Sequence, residues 1–120
     1  MANINESMAE LMAVDGAVGC ALVDYNSGMI LGKAGGGTMN LDLAAAGNAE
    51  VVKAKMRIMK GLGITGGIED FLITLATQYH IIRPLESKPG LFIYFVLDKS
   101  KANLGMARFK TSDVEKSLVV

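Results

Sequence analysis

Ile4, Met8, Leu11 and Met12 fall at the i, i+4, i+7, i+8 spacing of one helical face, so the chain is predicted to open with a short helix. Asn3 or Asn5 can cap it, and Asp15-Gly16 stops it. The rhythm then shortens to that of strands. "AVGCALVDYNSGMILGKA" holds two brief apolar runs around Tyr25-Asn26-Ser27-Gly28, a turn cluster whose glycine supplies a positive φ, which predicts a hairpin over residues 17 to 34.

Gly35-Gly36-Gly37 closes that hairpin, and Asn40 or Asp42 can cap a long helix running to Lys60. On a helical wheel Val51, Val52, Met56, Ile58, Met59 and Leu62 spread over about 160 degrees, wider than a single apolar stripe. Glu50, Lys53, Arg57 and Lys60 take the opposite side, while Lys55 lies inside the apolar arc, where it can snorkel or reach an acidic group across an interface. Half of such an arc covers the helix's own sheet. The other half needs a cover, and a second copy of the chain is one.

Beyond the helix, "IEDFLITLA" (68 to 76) and "QYHIIRPL" (78 to 85) are strand-like in β-branched and aromatic content and are expected to pair around Thr77. Pro84 cannot donate to a ladder and is expected near a strand end. Lys88-Pro89-Gly90 turns the chain into "LFIYFVLD", which is apolar throughout and predicts a central strand buried on both faces. Ala102, Leu104, Met106, Ala107 and Phe109 fit a closing helix that ends near Thr111-Ser112-Asp113. The predicted order is helix, two strands, long helix, three strands, helix: an α+β fold with a mainly antiparallel sheet and helices on both faces.

Length and composition narrow the class. At 120 residues and 51% hydrophobic content the chain is expected to form one folded domain, residues 1–120, without metals or disulfides. No stretch reaches the roughly 18 apolar residues of a membrane span, so membrane insertion is not expected. The opening residues carry acids and lack a basic leader, which predicts a cytoplasmic protein. Twelve basic residues balance twelve acidic ones without a basic block, which speaks against nucleic acid as a partner. Eight methionines are read mostly as core fillers, although thioether surfaces also suit protein partners.

Candidate chemistry is sparse. Gly61-x-Gly63-x-x-Gly66 matches the dinucleotide-binding spacing, but these glycines leave a helix and enter a strand, the reverse of what a phosphate loop requires. Gly61 or Gly63 is instead expected to stop the helix. Gly28-x-x-x-Gly32-Lys33 is one residue too short for a P-loop and is followed by Ala34 where a hydroxyl should hold magnesium. His80 is the only histidine and is read as a hydrogen-bonded structural residue, and Cys20 as a small buried one. Glu69 and Asp70 are adjacent in a strand, point to opposite faces and are expected to be solvated. No nucleophile stands with a base, so no catalytic, cofactor or metal site is expected. An interaction module and a small-ligand sensor remain open.

Three stretches, "GAVGCALVDYNSGMILG" (16 to 32), "EDFLITLATQYHIIRPL" (69 to 85) and "GLFIYFVLDKSKANLGMARFK" (90 to 110), together with the order of elements, resemble the Roadblock / dynein light chain family and its stand-alone bacterial members. The resemblance implies a five-stranded antiparallel sheet between a long helix on one face and two terminal helices on the other, with no covalent chemistry of its own. It further implies a homodimer in which the third strand pairs with its copy at the sheet edge and the long helices meet. "DFLITLA" has neither proline nor lysine to blunt such an edge. The dimer residues expected on this basis are Val52, Lys55, Met56, Met59, Asp70, Leu72 and Thr74. A small Ras-like GTPase is the implied partner, with Lys53, Arg57 and Lys60 as candidate contacts. The alternatives are a small-ligand sensor domain and a structural light-chain-like subunit of a larger complex.

Overall fold

The computed structural model describes residues 1–120 and follows the predicted order: α1 (Ile4–Met12), β1 (Ala17–Asp24), β2 (Ile30–Gly35), α2 (Leu41–Gly61), β3 (Phe71–Thr74), β4 (Gln78–Pro84), β5 (Leu91–Asp98) and α3 (Leu104–Ser117). The strands form one antiparallel sheet in the order β2-β1-β5-β4-β3. β5 is central, as its unbroken apolar run predicts, and Phe92 through Leu97 are all buried.

Alternation along β5 divides the core. Ile93, Phe95 and Leu97 join Cys20, Leu22, Ile81, Met8, Leu11, Ala107 and Val114 beneath α1 and α3. Phe92, Tyr94 and Val96 join Ala21, Val23, Ile82, Ala45, Ala49 and Val52 beneath α2. Each fully buried large side chain contributes roughly 1.5–3 kcal/mol relative to exposure, so these two layers supply the main stabilisation.

Local chemistry sets the element ends. Asn3 caps α1 in a capping box with Glu6, and Asn40 and Asn103 cap α2 and α3 by accepting from Leu43 and Met106 N–H. α2 ends in a Schellman turn: Ile64 N–H donates to Met59 O and Gly63 N–H to Lys60 O, with Gly63 at φ 72°. Of the two glycines proposed as the stop, Gly63 takes that role. The chain ends are tied together where Ala2 N–H donates to Ser117 O and Val119 N–H to Ala2 O, both at 2.8 Å.

Three expectations are corrected. α3 does not stop at Thr111-Ser112-Asp113 but continues to Ser117, because Thr111 turns its hydroxyl back to Ala107 O at 2.7 Å and packs inward. β3 spans only Phe71–Thr74, not 68 to 76. Leu75 N–H donates to Gln78 O, so by antiparallel alternation Phe71 and Ile82 form a hydrogen-bonded pair. The next such pair would join Glu69 to Pro84, which has no N–H to donate. Asp70 is not solvated: Arg108 on α3 clasps both of its carboxylate oxygens, Nε to Oδ2 at 3.0 Å and Nη2 to Oδ1 at 2.9 Å.

Candidate functional site

The α2 backbone runs nearest β1 and β2, and its buried side chains reach from there to Ile82, Phe92, Tyr94 and Val96 in the middle of the sheet. Lys33 on β2 bridges to Asp42 at 3.1 Å, and the β1–β2 turn at Gly28 lies against Ala46. At 100 degrees per residue, Val51, Ile58 and Leu62 lie on the other flank of the helix, towards β4 and β3. They are 42%, 52% and 67% exposed. Below that flank the inner faces of β3 and β4 carry Phe71, Ile73, Gln78 and His80, all only half-buried. An apolar helix flank thus stands beside a partly uncovered half-sheet.

The strand bordering this area is an open edge. Because Phe71 and Ile73 turn their backbone groups towards β4, Leu72 and Thr74 point N–H and C=O outward, with no strand beyond them. Leu72 and Thr74 are exposed, and their side chains belong to the α1/α3 side of the sheet.

The remaining sequence-predicted residues distribute unevenly. Val52 is 0% exposed and belongs to this chain's own core, so it offers no surface. Met56 and Met59 are half-buried, Lys55 is exposed, and Asp70 is held by Arg108. Val51, Ile58 and Leu62 were inside the predicted arc but outside the predicted interface set. The signal that separates them is alanine: Ala45 and Ala49 point with Val52 to the sheet, which fixes the core direction away from Val51.

The basic row lies on the opposite flank. Lys53 is bonded to Glu50 at 2.8 Å, and that hydrogen bond, with the nearby charge, lowers the Glu50 pKa. Arg57 and Lys60 are exposed and make no ion pair within the chain.

Beneath the uncovered half-sheet, His80 Nδ1 meets the Tyr94 hydroxyl at 3.1 Å and His80 Nε2 meets Gln78 Oε1 at 2.9 Å. His80 is therefore a hydrogen-bonded structural residue, as expected. Burial pushes its pKa down and pushes that of Tyr94 up, the latter offset in part by a hydrogen bond from Asn48. Cys20 is buried, its thiol facing Met8 O at 3.5 Å, and desolvation raises its pKa to about 11, which leaves it an unreactive neutral thiol at neutral pH.

A cleft of about 410 Å³ opens at one end of the sheet between Tyr25, Met56, Glu69, Arg83 and Glu86. Its only cation, Arg83, is already engaged, Nε donating to Glu115 Oε1 at 2.8 Å, while Glu69 and Glu86 make no ion pair. No three His, Cys, Asp or Glu side chains gather as a metal site, and no helix is long and apolar enough to cross a membrane.

A helix-flanked sheet of this order and connectivity has close counterparts among solved structures. This is the Roadblock/LC7 fold. A Roadblock/LC7 domain from Streptomyces avermitilis superposes with a TM-score of 0.81 over 97% of this chain and 94% of its own, at 13% identity. Myxococcus xanthus MglB superposes at 0.79 over 94% of this chain and 91% of its own, at 19% identity. An MglB in a tetrameric arrangement gives 0.81 over 94% and 82%, at 18% identity. No family model and no curated protein sequence matches the chain. The likeness to Roadblock/LC7 domains therefore lies in the backbone and in the layering of helices on the sheet.

Proposed function

We propose that this chain is a non-catalytic, homodimeric regulatory or scaffold module that binds and regulates a small Ras-like GTPase. The observation that carries the proposal is the off-centre position of α2 beside an unpaired β3 edge. A second copy related by a two-fold axis would continue the sheet through Leu72 and Thr74, and its own α2 would lie over the half-covered Phe71, Ile73 and His80. Val51, Ile58, Lys55, Met56 and Met59 would then meet their counterparts. Pairing the two flanks turns Arg57 and Lys60 outward, where they are available to acidic groups of a partner.

The regulatory role rests on likeness to MglB and other Roadblock/LC7 structures, and the tetrameric MglB shows that this fold supports self-assembly. No nucleophile and base are brought together in this chain, which favours a binding role over a catalytic one. The test is light scattering coupled to size exclusion, with the protein alone and mixed with Ras-like GTPases carrying GDP or a GTP analogue. A dimer that retains one nucleotide state in preference to the other supports the proposal. A monomer overturns the dimer, and a dimer indifferent to the GTPases overturns the partner.

A further inference from the structure

His80 is the chain's one histidine, and so its one side chain with an ordinary pKa between about 5 and 8. It stands where the proposed dimer would form. Ile73 faces it from β3 and Val96 from β5, both on the α2 side of the sheet. The ring is only half-buried within one chain, so a second copy laid over Phe71 and Ile73 would complete its burial.

The groups around the ring suit its neutral form. Gln78 Oε1 accepts at Nε2 and the Tyr94 hydroxyl meets Nδ1, and Asn48 of α2 also hydrogen-bonds that hydroxyl. No carboxylate bonds the ring. On β5 the acid of this face is Asp98, which lies opposite Gln78 and already accepts from the N–H and hydroxyl of Ser100 at 2.9 and 2.7 Å. Glu69 precedes Ile73 by four residues, about 13 Å along an extended chain. From α2 the charge on the facing flank is Lys55, which at 100 degrees per residue falls among Val51, Ile58 and Leu62. Lys55 is exposed and makes no ion pair.

We infer that His80 gates self-association: the neutral imidazole permits the edge-paired dimer, and the imidazolium opposes it. The inference rests on the dimer proposed above. Two-fold pairing lays the partner's α2 flank, apolar apart from Lys55, over each His80. A neutral ring is covered at little cost. A charged ring would lose its remaining water and meet a cation, with no carboxylate to offset either. The dimer therefore holds its two rings neutral more firmly than the single chain does. By linkage, a pKa lower in the dimer than in the monomer gives association strength that is complete above the monomer's titration and declines as the pH falls through it. Burial already sets that titration below 6.5. Two rings per dimer limit the effect to about 100-fold per pH unit.

The experiment is sedimentation velocity on tag-free protein over a concentration series at pH 7.5, 6.5 and 5.0, with circular dichroism confirming the fold at each pH. The wild-type dissociation constant should rise about tenfold between pH 7.5 and 5.0. His80→Gln, whose amide can still accept from Tyr94, should remove that rise, and Lys55→Glu, which sets a carboxylate over the ring, should flatten it. The lone histidine ring is also read directly by NMR, and it should titrate at a lower pH in the wild-type dimer than in Thr74→Pro, which blunts the β3 edge. A wild-type dimer whose affinity ignores pH, or a rise that persists in His80→Gln, overturns the gate and leaves the dimer standing. A wild type that is monomeric at pH 7.5 at every concentration overturns the edge-paired dimer itself, and the gate with it.

Discussion

The Nδ1 atom of His80 lies 3.1 Å from the hydroxyl of Tyr94, and the two rings meet edge to face at 5.6 Å and 83°. Gln78 Oε1 can only accept at Nε2, so the neutral tautomer with its proton on Nε2 leaves Nδ1 to accept from Tyr94. That tautomer satisfies both ring nitrogens of His80 and the hydroxyl proton of Tyr94. A second ring proton would place a donor against the Tyr94 hydrogen and force the hydroxyl to turn.

A pH dependence follows. Burial lowers the His80 pKa in the folded chain below its ordinary value near 6.5, so the unfolded state takes up a proton first as the pH falls. The stabilisation is complete above pH 6.5 and declines as the pH drops from there towards the lower folded pKa. Urea midpoints measured between pH 7.5 and 5 should fall in wild type and fall less in His80→Gln. Equal slopes would show that His80 does not govern the titration.

A second prediction concerns the Arg83–Glu115 pair, 2.8 Å apart with side chains 13% and 8% exposed. Glu115 also faces Glu86 N–H at 3.4 Å, so its carboxylate joins α3 to the loop after β4. Glu115→Ala would leave the guanidinium buried and unpaired, and should cost about 3 kcal/mol. Replacing both partners with Met and Leu should cost markedly less. A urea double-mutant cycle would read the difference, and two equal losses would show that the ion pair is not what holds α3 there.

Much of this architecture is legible in residue spacing. The helix caps, both hairpins and the central strand follow from asparagines, turn glycines and apolar runs that act within a few residues of one another. The discrepancies arise where a distant partner decides. Asp70 reads as solvated until α3 brings Arg108 to it, and Thr111-Ser112-Asp113 reads as a helix end until Thr111 and Glu115 find buried partners. Which half of the α2 arc faces the sheet is hidden from the large side chains for a different reason. Counting only large side chains drew the apolar arc away from Ala45 and Ala49, whose small size is what lets the helix settle on the sheet.

The β3 edge gives a third prediction. Thr74 points its N–H away from β4, so Thr74→Pro removes an outward donor while leaving the β3–β4 hydrogen bonds intact. A lost hydrogen bond is worth about 1 kcal/mol, and two-fold symmetry doubles it, so the edge-paired contact should weaken roughly 30-fold. Ile73→Pro, whose N–H faces β4, should instead destabilise the fold itself. Fluorescence-detected sedimentation of both variants, beside urea melts, separates the two effects; a Thr74→Pro protein with undiminished edge affinity would place the dimer contact elsewhere.

The last prediction concerns the outward row on α2. Arg57 and Lys60 make no ion pair, whereas Lys53 is already engaged by Glu50. Arg57→Glu combined with Lys60→Glu should therefore slow association with an acidic GTPase surface and weaken it about tenfold at low salt, with a smaller difference at high salt where screening dominates. Lys53→Glu alone should have less effect, since its charge is partly spent within the helix. Because all three side chains lie away from the apolar flank and the β3 edge, none of these changes should disturb self-association. Stopped-flow association rates at two ionic strengths would test this, and rates unchanged by the double reversal would move the partner to another face of the molecule.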